Sequence, residues 1–424
     1  MTASGRQAPS PPERVVARYV LDTAEAPERA AEIIAGEQSS GTFVALARET
    51  KGLKERSGAQ VETLEIVGEV EGPGLPGAKT GPVLRRCVLE LSWPLANMGP
   101  SLPNLVATIA GNLFELNCVA GLRLVDLALP AAFAERYPGP RHGIDGTRRL
   151  SGVTDGPLIG TIVKPSVGLS PDETAHEVAQ LVAGGIDFVK DDELQADGPH
   201  CPFEDRVRAV MRVVNEAADR TGKKAMIAFN LTGELDEMRR RHDFVVAQGG
   251  TCVMASLHSV GFVGMVELAR HSALPIHAHR NGWGYLSRHP ALGFDYAPWQ
   301  MLWRLAGADH LHVNGLANKF CEDDASVIAS AQAVLTPMFP QAPMAAMPVF
   351  SSGQTVRQAA PTYAAIGTTD LIFAAGGGIF GHPGGVKAGV VALRKAWQAA
   401  VEGVSLDDLA RQEPDVAAAM GIGR

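Results

Sequence analysis

Short apolar runs alternate with helix-length amphipathic segments through the last two thirds of the chain. Eight runs of this kind cover residues 158–165, 185–192, 224–231, 250–256, 275–280, 310–315, 347–353 and 370–378. Strands that alternate with helices predict a parallel sheet with right-handed crossovers, and eight such units in about 250 residues predict a closed (β/α)8 barrel. An open doubly wound sheet is the alternative, but it requires a Gly-x-Gly-x-x-Gly turn after an early strand, and the glycine cluster here follows the last run.

The first third of the chain has a different pattern. Residues 14–135 mix strand-like runs with two helical patterns, at 23–36 and 103–116, which is typical of an α+β domain. The strand-like runs are RVVARYVL, FVALA, VLRRCVLELSWP and LRLVDLALP. A stretch rich in proline and glycine, residues 137–143, then marks a boundary. We therefore predict an α+β domain over residues 1–140 and a barrel domain over residues 141–424.

Composition narrows the classes of function. The 424 residues are 46% hydrophobic and 20% charged, with a net charge of −8 and no basic run, so we predict small-molecule partners and no nucleic acid. The N-terminus has no apolar signal segment and no apolar run is long enough to span a bilayer, so we predict a cytoplasmic protein without membrane contact. The five cysteines are widely spaced, which predicts free thiols.

Polar residues cluster where the predicted barrel strands end. In a (β/α)8 barrel the catalytic side chains lie at the C-terminal ends of the strands. The residues found there are Lys164, Lys190, Asp192, Glu193, Asn230, His277, His279, Arg280, His310, His312, Ser351, Ser352 and Gly376 to Gly378. A single lysine or histidine at a strand end is commonly solvated or bonded to a loop, but the coincidence of so many polar ends in one ring predicts an active site.

The stretch GGIDFVKDDE carries the most specific chemistry. Residues two apart share one face of a strand, so Lys190 and Asp192 point the same way, and Glu193 joins them where the chain leaves the sheet. Two carboxylates alone provide few ligands for Mg²⁺. A desolvated lysine that loses its proton can react with CO2 and provide a third anionic oxygen as a carbamate. The alternative is that Lys190 only neutralises its acidic neighbours on a surface loop.

Two histidine pairs, His277-x-His279 and His310-x-His312, each place two imidazoles on one strand face. A zinc hydrolase uses such pairs and is a competing reaction class, while one inward histidine with a structural hydrogen bond is the simpler explanation of either pair. The acids lie beside a lysine and no cysteine ends these strands, which favours oxygen ligation of a hard cation, with the histidines serving the substrate.

The serine-glycine turn 351–353 and the triple glycine 376–378 follow the last two predicted strands. Barrels commonly bind phosphate at this place through backbone N–H groups and a helix N-terminus, and glycine lets the amides approach the anion closely. A flexible loop is the alternative for either turn alone. Two such turns on adjacent strands predict a phosphate site.

From about residue 15 to about residue 400, the chain resembles RuBisCO large chains and the RuBisCO-like proteins. GTIVKPSVGLS resembles the family's lysine motif on the first barrel strand, and GGIDFVKDDE resembles the motif whose lysine is carbamylated to hold Mg²⁺. HAHR, HLH with Lys319 seven residues on, and the two glycine-containing turns follow in the family's order. GEQSSGTF and AGNLFE resemble segments that complete a neighbouring subunit's site. The resemblance implies a ferredoxin-like α+β domain followed by a TIM barrel.

The resemblance also implies a role for each matching residue. Lys190 would be the carbamate and Asp192 and Glu193 the other ligands of Mg²⁺, the implied cofactor. The residues implied to be catalytic are Lys164 for proton transfer, Lys190, His279, and Lys319 for the carboxylate gained or lost. The residues implied to bind a phosphorylated small substrate are Arg280, His312, Ser351, Gly353, Gly376 and Gly377. Those implied to be contributed by the partner subunit are Glu37, Thr42 and Asn112.

Departures from the carboxylase pattern direct the functional prediction. Ser166 stands where carboxylating members have a second lysine, and both NGWGYLSRHP after Arg280 and the loop VNGLANK are unlike theirs, which argues against ribulose bisphosphate carboxylation. The RuBisCO-like group shares Mg²⁺-dependent stabilisation of an enediolate beside a ketone on a phosphorylated substrate. Because a β-keto acid that loses CO2 gives the enolate that carboxylation consumes, a retained Lys319 favours a carboxylate-bearing substrate. The segment HRNGWG resembles the members of the family that decarboxylate 3-oxo-isoapionate 4-phosphate in apionate breakdown, and this is the reaction that we predict.

Three alternatives stay open. An enolase or isomerase acting on a methylthio-sugar phosphate in methionine salvage belongs to the same group, whereas a zinc-dependent barrel hydrolase and a non-catalytic metabolite-binding scaffold belong to other classes. The scaffold would bind a phosphorylated ligand without turnover, which the complete lysine and carboxylate set argues against. The resemblance also implies a homodimer with active sites at the subunit interface, and dimers that can assemble further.

Overall fold

The computed structural model describes residues 13–41 and 46–421. The chain divides into two compact units. The first contains the described residues up to Arg136 together with Gly284–Trp299, and the second contains Tyr137–Trp283 and the described residues from Gln300 onward. The first unit therefore includes a segment, Gly284–Trp299, that lies far beyond the predicted boundary at residue 140.

The first unit is built on a five-stranded mixed sheet. Its strands, numbered along the whole chain, are β1 (Arg14–Thr23), β2 (Gln60–Val70), β3 (Leu84–Pro94), β4 (Gly121–Ala128) and β10 (Leu292–Phe294). They lie in the order β10-β4-β1-β3-β2, with β10 parallel to β4 and the other neighbours antiparallel. The helices are α1 (Pro27–Glu37), α2 (Lys51–Ser57), α3 (Leu102–Ala110) and α4 (Ala132–Arg136), with 3₁₀ turns at Leu95–Asn97 and Asn112–Glu115.

Two strands of this sheet are absent from the sequence prediction. β2 is an edge strand whose side chains are almost all exposed, so its sequence has no apolar face that would reveal it. β10 is only three residues long and depends on pairing with a strand far earlier in the chain. The predicted strand FVALA falls mostly within 42–45, outside the described residues, and Leu46 and Ala47 are not in a strand. The two predicted helical patterns are confirmed by α1 and α3.

The second unit is a closed barrel of eight parallel strands. They are β5 (Leu158–Ile162), β6 (Phe188–Lys190), β7 (Met226–Asn230), β8 (Cys252–Ser256), β9 (Ile276–His279), β11 (His310–His312), β12 (Met347–Phe350) and β13 (Ile372–Ala374). They follow one another around the barrel in chain order, and β13 closes on β5. All eight apolar runs are therefore confirmed as strands, and the open-sheet alternative is wrong. Buried side chains from successive strands, such as Leu158, Phe188 and Met226, form one apolar core.

Helices alternate with the barrel strands, beginning with α5, which precedes β5. They are α5 (Gly143–Ser151), α6 (Pro171–Ala183), α7 (Phe203–Thr221), α8 (Leu235–Ala247), α9 (Leu257–His271), α12 (Asp324–Leu335), α13 (Ala359–Ile366), α14 (Gly376–Phe380), α15 (Val386–Glu402), α16 (Leu406–Gln412) and α17 (Pro414–Ala419), with a 3₁₀ turn at Val356–Gln358. Two more, α10 (Trp283–Ser287) and α11 (Tyr296–Leu305), border the segment that groups with the first unit. Within the described ranges, no helix is long and apolar enough to cross a membrane.

Candidate active site

Lys190 ends strand β6 and is almost fully buried, with 1% of its surface exposed. Its Nζ donates to the backbone oxygen of Asp191 at 2.9 Å and lies 3.4 Å from Oε2 of Glu193. Burial lowers the pKa of Lys190 because the ammonium loses its hydration, while the carboxylates of Glu193 and Asp192 oppose that shift. The alternative of a lysine on a surface loop is therefore wrong, and the neutral amine forms more easily here than in water.

The three acids that follow Lys190 have different partners. The carboxylate of Asp191 accepts hydrogen bonds from Nη2 of Arg206 at 3.1 Å and from the backbone N–H of Asn230 at 2.9 Å. Arg206, on α7, is fully buried, so Asp191 ties β6 to the neighbouring strand and helix. Asp192 and Glu193 remain beside Lys190, which is the arrangement that the period of two along a strand predicts.

Lys164 follows β5 and reaches the carboxylate of Asp192. Its Nζ donates to Oδ2 of Asp192 and to Oγ of Ser166, both at 2.7 Å. Although burial raises the pKa of Asp192, the hydrogen bonds from Lys164 and Ser166 and the charge of Lys190 hold it below its ordinary value. A Cβ built on Gly376 would lie 3.8 Å from Cε of Lys164, so the triple-glycine turn after β13 borders the same lysine.

His279 ends β9 and joins this group through Glu193. Its Nε2 lies 3.3 Å from Oε2 of Glu193, and Asn281 contacts its Nδ1 at 3.2 Å. Burial lowers the pKa of His279 to about 4, so the ring is neutral at neutral pH. Burial raises the pKa of Glu193, but electrostatic interactions with His279 and Lys190 outweigh this effect, so the pKa lies below its ordinary value. The site therefore contains a neutral imidazole beside an ionised carboxylate.

The other strand histidines make hydrogen bonds within the barrel. Nε2 of His277 lies 2.8 Å from Nε2 of His312, so the two neutral rings share a single hydrogen. His310 begins β11, and its Nε2 contacts Oγ1 of Thr147 at 2.8 Å, so its placement at a strand end was wrong and the structural explanation holds for it. Burial lowers the pKa of all three rings, to about 3 for His310.

Among the described residues, one group of three histidine or acidic side chains is close enough to hold a metal, and it consists of His242, Asp243 and His271. Nε2 of His242 accepts the backbone N–H of Ala273 at 3.1 Å, so in the neutral ring Nδ1 carries the proton and donates it to Asp243. That tautomer leaves no lone pair on Nδ1 for a metal. The barrel histidines do not converge in this way, which argues against the zinc hydrolase alternative.

Arg280 follows His279 and pairs with Glu322, a residue on the loop between β11 and α12. The same Glu322 oxygen accepts from Nδ2 of Asn314 at 2.6 Å, and Oδ1 of Asn314 accepts from the hydroxyl of Ser352 at 2.9 Å. Sequence reasoning missed both Asn314 and Glu322. Glu322 belongs to a run of three acidic residues at the start of α12. Such a run predicts a helix N-cap, and one of its residues, Asp323, is that cap.

The serine turn after β12 touches the loop that carries Lys319. Oγ of Ser351 lies 3.1 Å from Nδ1 of His312, and the backbone N–H of Lys319 donates to the carbonyl of Ser352 at 3.2 Å. The Lys319 side chain is exposed, with its Nζ 5.2 Å from the centre of the Phe320 ring. The end of β11, the loop that follows it and the turn after β12 therefore meet near Ser351, as the prediction of a shared site requires.

The two glycine-containing turns pack directly against each other. A Cβ on Gly378 would lie 2.4 Å from the backbone oxygen of Gln354, so a larger residue cannot occupy this contact. Gly353 has a φ of +92°, a left-handed conformation that favours glycine. Gly376 and Gly377 begin the short helix α14. The structure thus brings together the two turns for which the sequence predicts phosphate binding.

The residues predicted to come from a partner subunit lie in the first unit. Glu37 and Asn112 are exposed and in contact, with Nδ2 of Asn112 donating to Oε1 of Glu37 at 3.3 Å. Thr42 lies outside the described residues. The contribution of all three to a neighbouring site stays a prediction.

A barrel with a buried lysine and two carboxylates at one strand end, preceded by a five-stranded α+β unit, matches one known family in both parts. The family described as ribulose bisphosphate carboxylase large chain matches with its N-terminal domain over residues 9–133 and with its catalytic domain over residues 143–422. The chain therefore belongs to the RuBisCO large-chain family.

Individual relatives place it in the RuBisCO-like group of that family. The 3-oxo-isoapionate-4-phosphate transcarboxylase/hydrolase of Xanthobacter autotrophicus is 66% identical over 97% of this chain and 100% of its own length. The 3-oxo-isoapionate-4-phosphate decarboxylase of Rhizobium etli is 42% identical over 95% of this chain and 97% of its own. The crystal structure of a RuBisCO-like protein from Burkholderia fungorum superposes with a TM-score of 0.91 at 45% identity, covering 96% of this chain and 99% of that one. Related RuBisCO chains have been solved as dimers and octamers.

Proposed function

We propose that this RuBisCO-like protein removes the carboxylate of 3-oxo-isoapionate 4-phosphate by Mg²⁺-dependent enediolate chemistry. The observation that carries the proposal is the buried Lys190 beside Asp192 and Glu193, in a chain whose relatives at 66% and 42% identity are both named for this substrate. In a β-keto acid the carbon that bears the carboxylate adjoins a ketone. The bond to CO2 can therefore break with its electron pair moving to the ketone oxygen, which leaves an enediolate.

The residues present fit a divalent cation held with a carbamate. Burial lowers the pKa of Lys190 and so favours the neutral amine, which adds to CO2 and releases a proton. The carbamate, Asp192 and Glu193 would then supply anionic oxygen ligands, the type that a hard cation prefers. Mg²⁺, when bound, stabilises the negative charge that develops on the substrate's oxygens.

We assign the reacting atoms to Lys164, His279 and Lys319. Lys164 Nζ, held between Asp192 and Ser166, donates a proton to the enediolate carbon. His279 is neutral because burial lowers its pKa to about 4, so an unprotonated ring nitrogen can accept a hydrogen bond from a substrate hydroxyl. The exposed ammonium of Lys319 pairs with the carboxylate that leaves.

We assign the phosphate of the substrate to the ends of β9, β11, β12 and β13. Arg280 and His312 bind it from one side, Arg280 by its charge and His312 through Nδ1, which lies 3.1 Å from the hydroxyl of Ser351. The phosphate lies against the hydroxyl and backbone amides of the two packed turns, which are contributed by Ser351, Gly353, Gly376 and Gly377.

The fate of the carboxyl carbon defines two candidate reactions. A decarboxylase protonates the enediolate and releases CO2. A transcarboxylase/hydrolase returns the CO2 to the neighbouring carbon of the enediolate and then breaks the carbon–carbon bond with water. The higher identity of the relative named for the second reaction favours it, while loss of the carboxylate is the first step of both.

The test uses 3-oxo-isoapionate 4-phosphate labelled with ¹³C in its carboxylate, incubated with Mg²⁺ and bicarbonate and followed by NMR. Label in dissolved CO2 and bicarbonate identifies a decarboxylase, and label in a new carboxylate product identifies a transcarboxylase/hydrolase. Lys190→Met should stop both. Lys223→Met is the matched control, because Lys223 pairs with Asp187 at the start of β6 and not with the candidate site.

Wild-type protein that leaves the labelled substrate intact would refute the substrate assignment. The methylthio-sugar phosphates would then be the next substrates to test. Turnover by Lys190→Met at the wild-type rate would refute the carbamate instead.

The quaternary structure belongs to the same proposal. Related RuBisCO chains form dimers and octamers, and Glu37, Thr42 and Asn112 match segments that complete a neighbouring site. We infer a cytoplasmic homodimer, able to assemble further, in which each barrel site is completed by the first unit of the partner.

A further inference from the structure

We propose that Glu322 is a built-in anion that occupies the anion-binding corner of the site and weakens the binding of substrate anions. This inference deepens the proposed function and rests on its assignment of Arg280 to an anionic end of the substrate. It makes Glu322 a specificity-determining residue, because only a strongly anionic ligand competes well with a carboxylate already in place.

Glu322 is held on every polar atom of its side chain. Its side chain is 15% exposed, and Oε2 pairs with Nη2 of Arg280 and accepts from Nδ2 of Asn314 at 2.6 Å. The other oxygen, Oε1, accepts from the hydroxyl of Ser326 at 2.9 Å. The adjacent Asp323 instead caps α12, where it accepts the backbone N–H of Ser326 at 2.7 Å. Of these two neighbouring acids, only Glu322 is turned toward the site.

The partners of Glu322 connect it to the rest of the candidate anion site. Asn314 is bonded to Ser352 through its side chain and to the backbone N–H of Ser351 through its carbonyl. Arg280 follows His279 at the end of β9. Glu322 thus takes up hydrogen-bond donors from two strand ends, and these are the donors that a carboxylate or phosphate of the substrate would use.

A negative charge in this corner affects a bound anion in either of two ways. If the substrate's anion takes over Nη2 of Arg280, Glu322 must first be displaced. If the anion binds beside Glu322, the two like charges repel at close range in a site where water screens them poorly. Both cases reduce affinity, so removing the charge while keeping the shape should tighten binding.

Glu322→Gln is the direct test, since glutamine keeps the size of the side chain and one accepting oxygen. Inorganic phosphate is titrated into wild type and variant by calorimetry. We expect the variant to bind phosphate about tenfold more tightly, a change of the size that coupling between two sites typically produces. Asp323→Asn is the matched control: it removes the same charge one residue away, and asparagine caps a helix as well as aspartate does. We expect less than a twofold change from it.

The Arg280→Gln variant tests whether the effect of Glu322 depends on Arg280. In Arg280→Gln the gain from Glu322→Gln should disappear, as in a double-mutant cycle for two interacting groups. Glu322→Ala serves as a further variant, with thermal unfolding of each protein as the check on folding. The kinetic counterpart is a KM lowered by the same factor with kcat unchanged, because the charge affects ground state and transition state alike.

Equal or weaker phosphate binding by a folded Glu322→Gln would overturn the inference, because Glu322 would then orient Arg280 and not compete for it. A gain that persists in the Arg280→Gln background would overturn it as well. The proposed function fails separately, by the absence of turnover in wild type. Tighter phosphate binding without turnover would keep Glu322 as an internal competitor and reject only the substrate.

Discussion

The two ends of the barrel bury charge in different ways. Where the strands start, the carboxylate of Asp309 accepts three backbone N–H groups at 2.7 to 2.8 Å. Where the strands end, the buried Lys190 and Asp192 rely largely on other charged side chains. Backbone donors are fixed by the fold, whereas side-chain partners can be exchanged for a ligand.

This difference separates residues that maintain the barrel from residues available for chemistry. A carboxylate that satisfies three backbone amides closes a loop on the barrel, and its loss leaves buried donors without an acceptor. Burying the ammonium of Lys190 instead destabilises the folded protein, as its lowered pKa indicates. A function of this lysine would explain why the cost is retained. The burial of a charge does not distinguish the two roles, but the nature of its partners does.

Asp309→Asn and Lys190→Met should therefore fail in opposite ways. Lys190→Met should lose activity by on the order of 10³-fold or more while its free energy of unfolding stays within about 1 kcal/mol of wild type, because a buried cation is replaced by an apolar side chain. Asp309→Asn should lose about 1–3 kcal/mol of stability, because its amide group faces a backbone N–H, and should retain kcat in the folded protein. Denaturant unfolding and initial rates measure both quantities.

Asp219→Asn, an exposed position on α7, is the control for the loss of a carboxylate charge. Comparable stability losses in Lys190→Met and Asp309→Asn would contradict the contrast between the two ends. So would a folded Asp309→Asn protein with a strongly reduced kcat.

Activation by CO2 should depend on pH in the direction set by the environment of Lys190. Carbamate formation needs the neutral amine, and burial lowers the pKa of this lysine, so the rate of activation should rise with pH and level off below the pKa of about 10.4 of an exposed lysine. Below the lowered pKa the rise is about tenfold per pH unit. The protein is preincubated at constant dissolved CO2 across the pH range and assayed at one pH.

Lys190→Met should show no activation phase at any pH. Activation that is independent of pH, or that keeps rising as it would for an exposed lysine, would mean that the amine is not the group that reacts. The strand ends would then not differ from the strand starts by holding a reactive lysine.

The barrel and the lysine–carboxylate group could be predicted from the sequence because both follow from short-range regularities. A parallel barrel strand is an apolar run between helices, and the alternation of faces places Lys190 with Asp192. The two glycine-containing turns were also predictable as neighbours, because they follow adjacent strands.

Long-range partners could not be predicted in this way. β10 exists only through its pairing with β4, and β2 has exposed side chains on both faces. Glu322 reads as one of several acids before a helix, and nothing local shows that it pairs with Arg280 while its neighbour caps α12. Tertiary structure decides which charged residues of different loops meet, and local sequence patterns contain no information about such contacts.

Ser166 allows the smallest test of the site end, because its hydroxyl accepts a hydrogen bond from Lys164 at 2.7 Å. In Ser166→Ala, Lys164 keeps Asp192 but loses one partner worth about 1 kcal/mol, so kcat should fall roughly fivefold with KM and thermal stability nearly unchanged. Ser259→Ala, at an exposed position on α9, is the control. A loss of stability without a change in kcat would contradict this prediction. It would mean that the Ser166 hydroxyl stabilises the fold, as the scaffold residues at the strand starts do, and does not orient the proton-donating lysine.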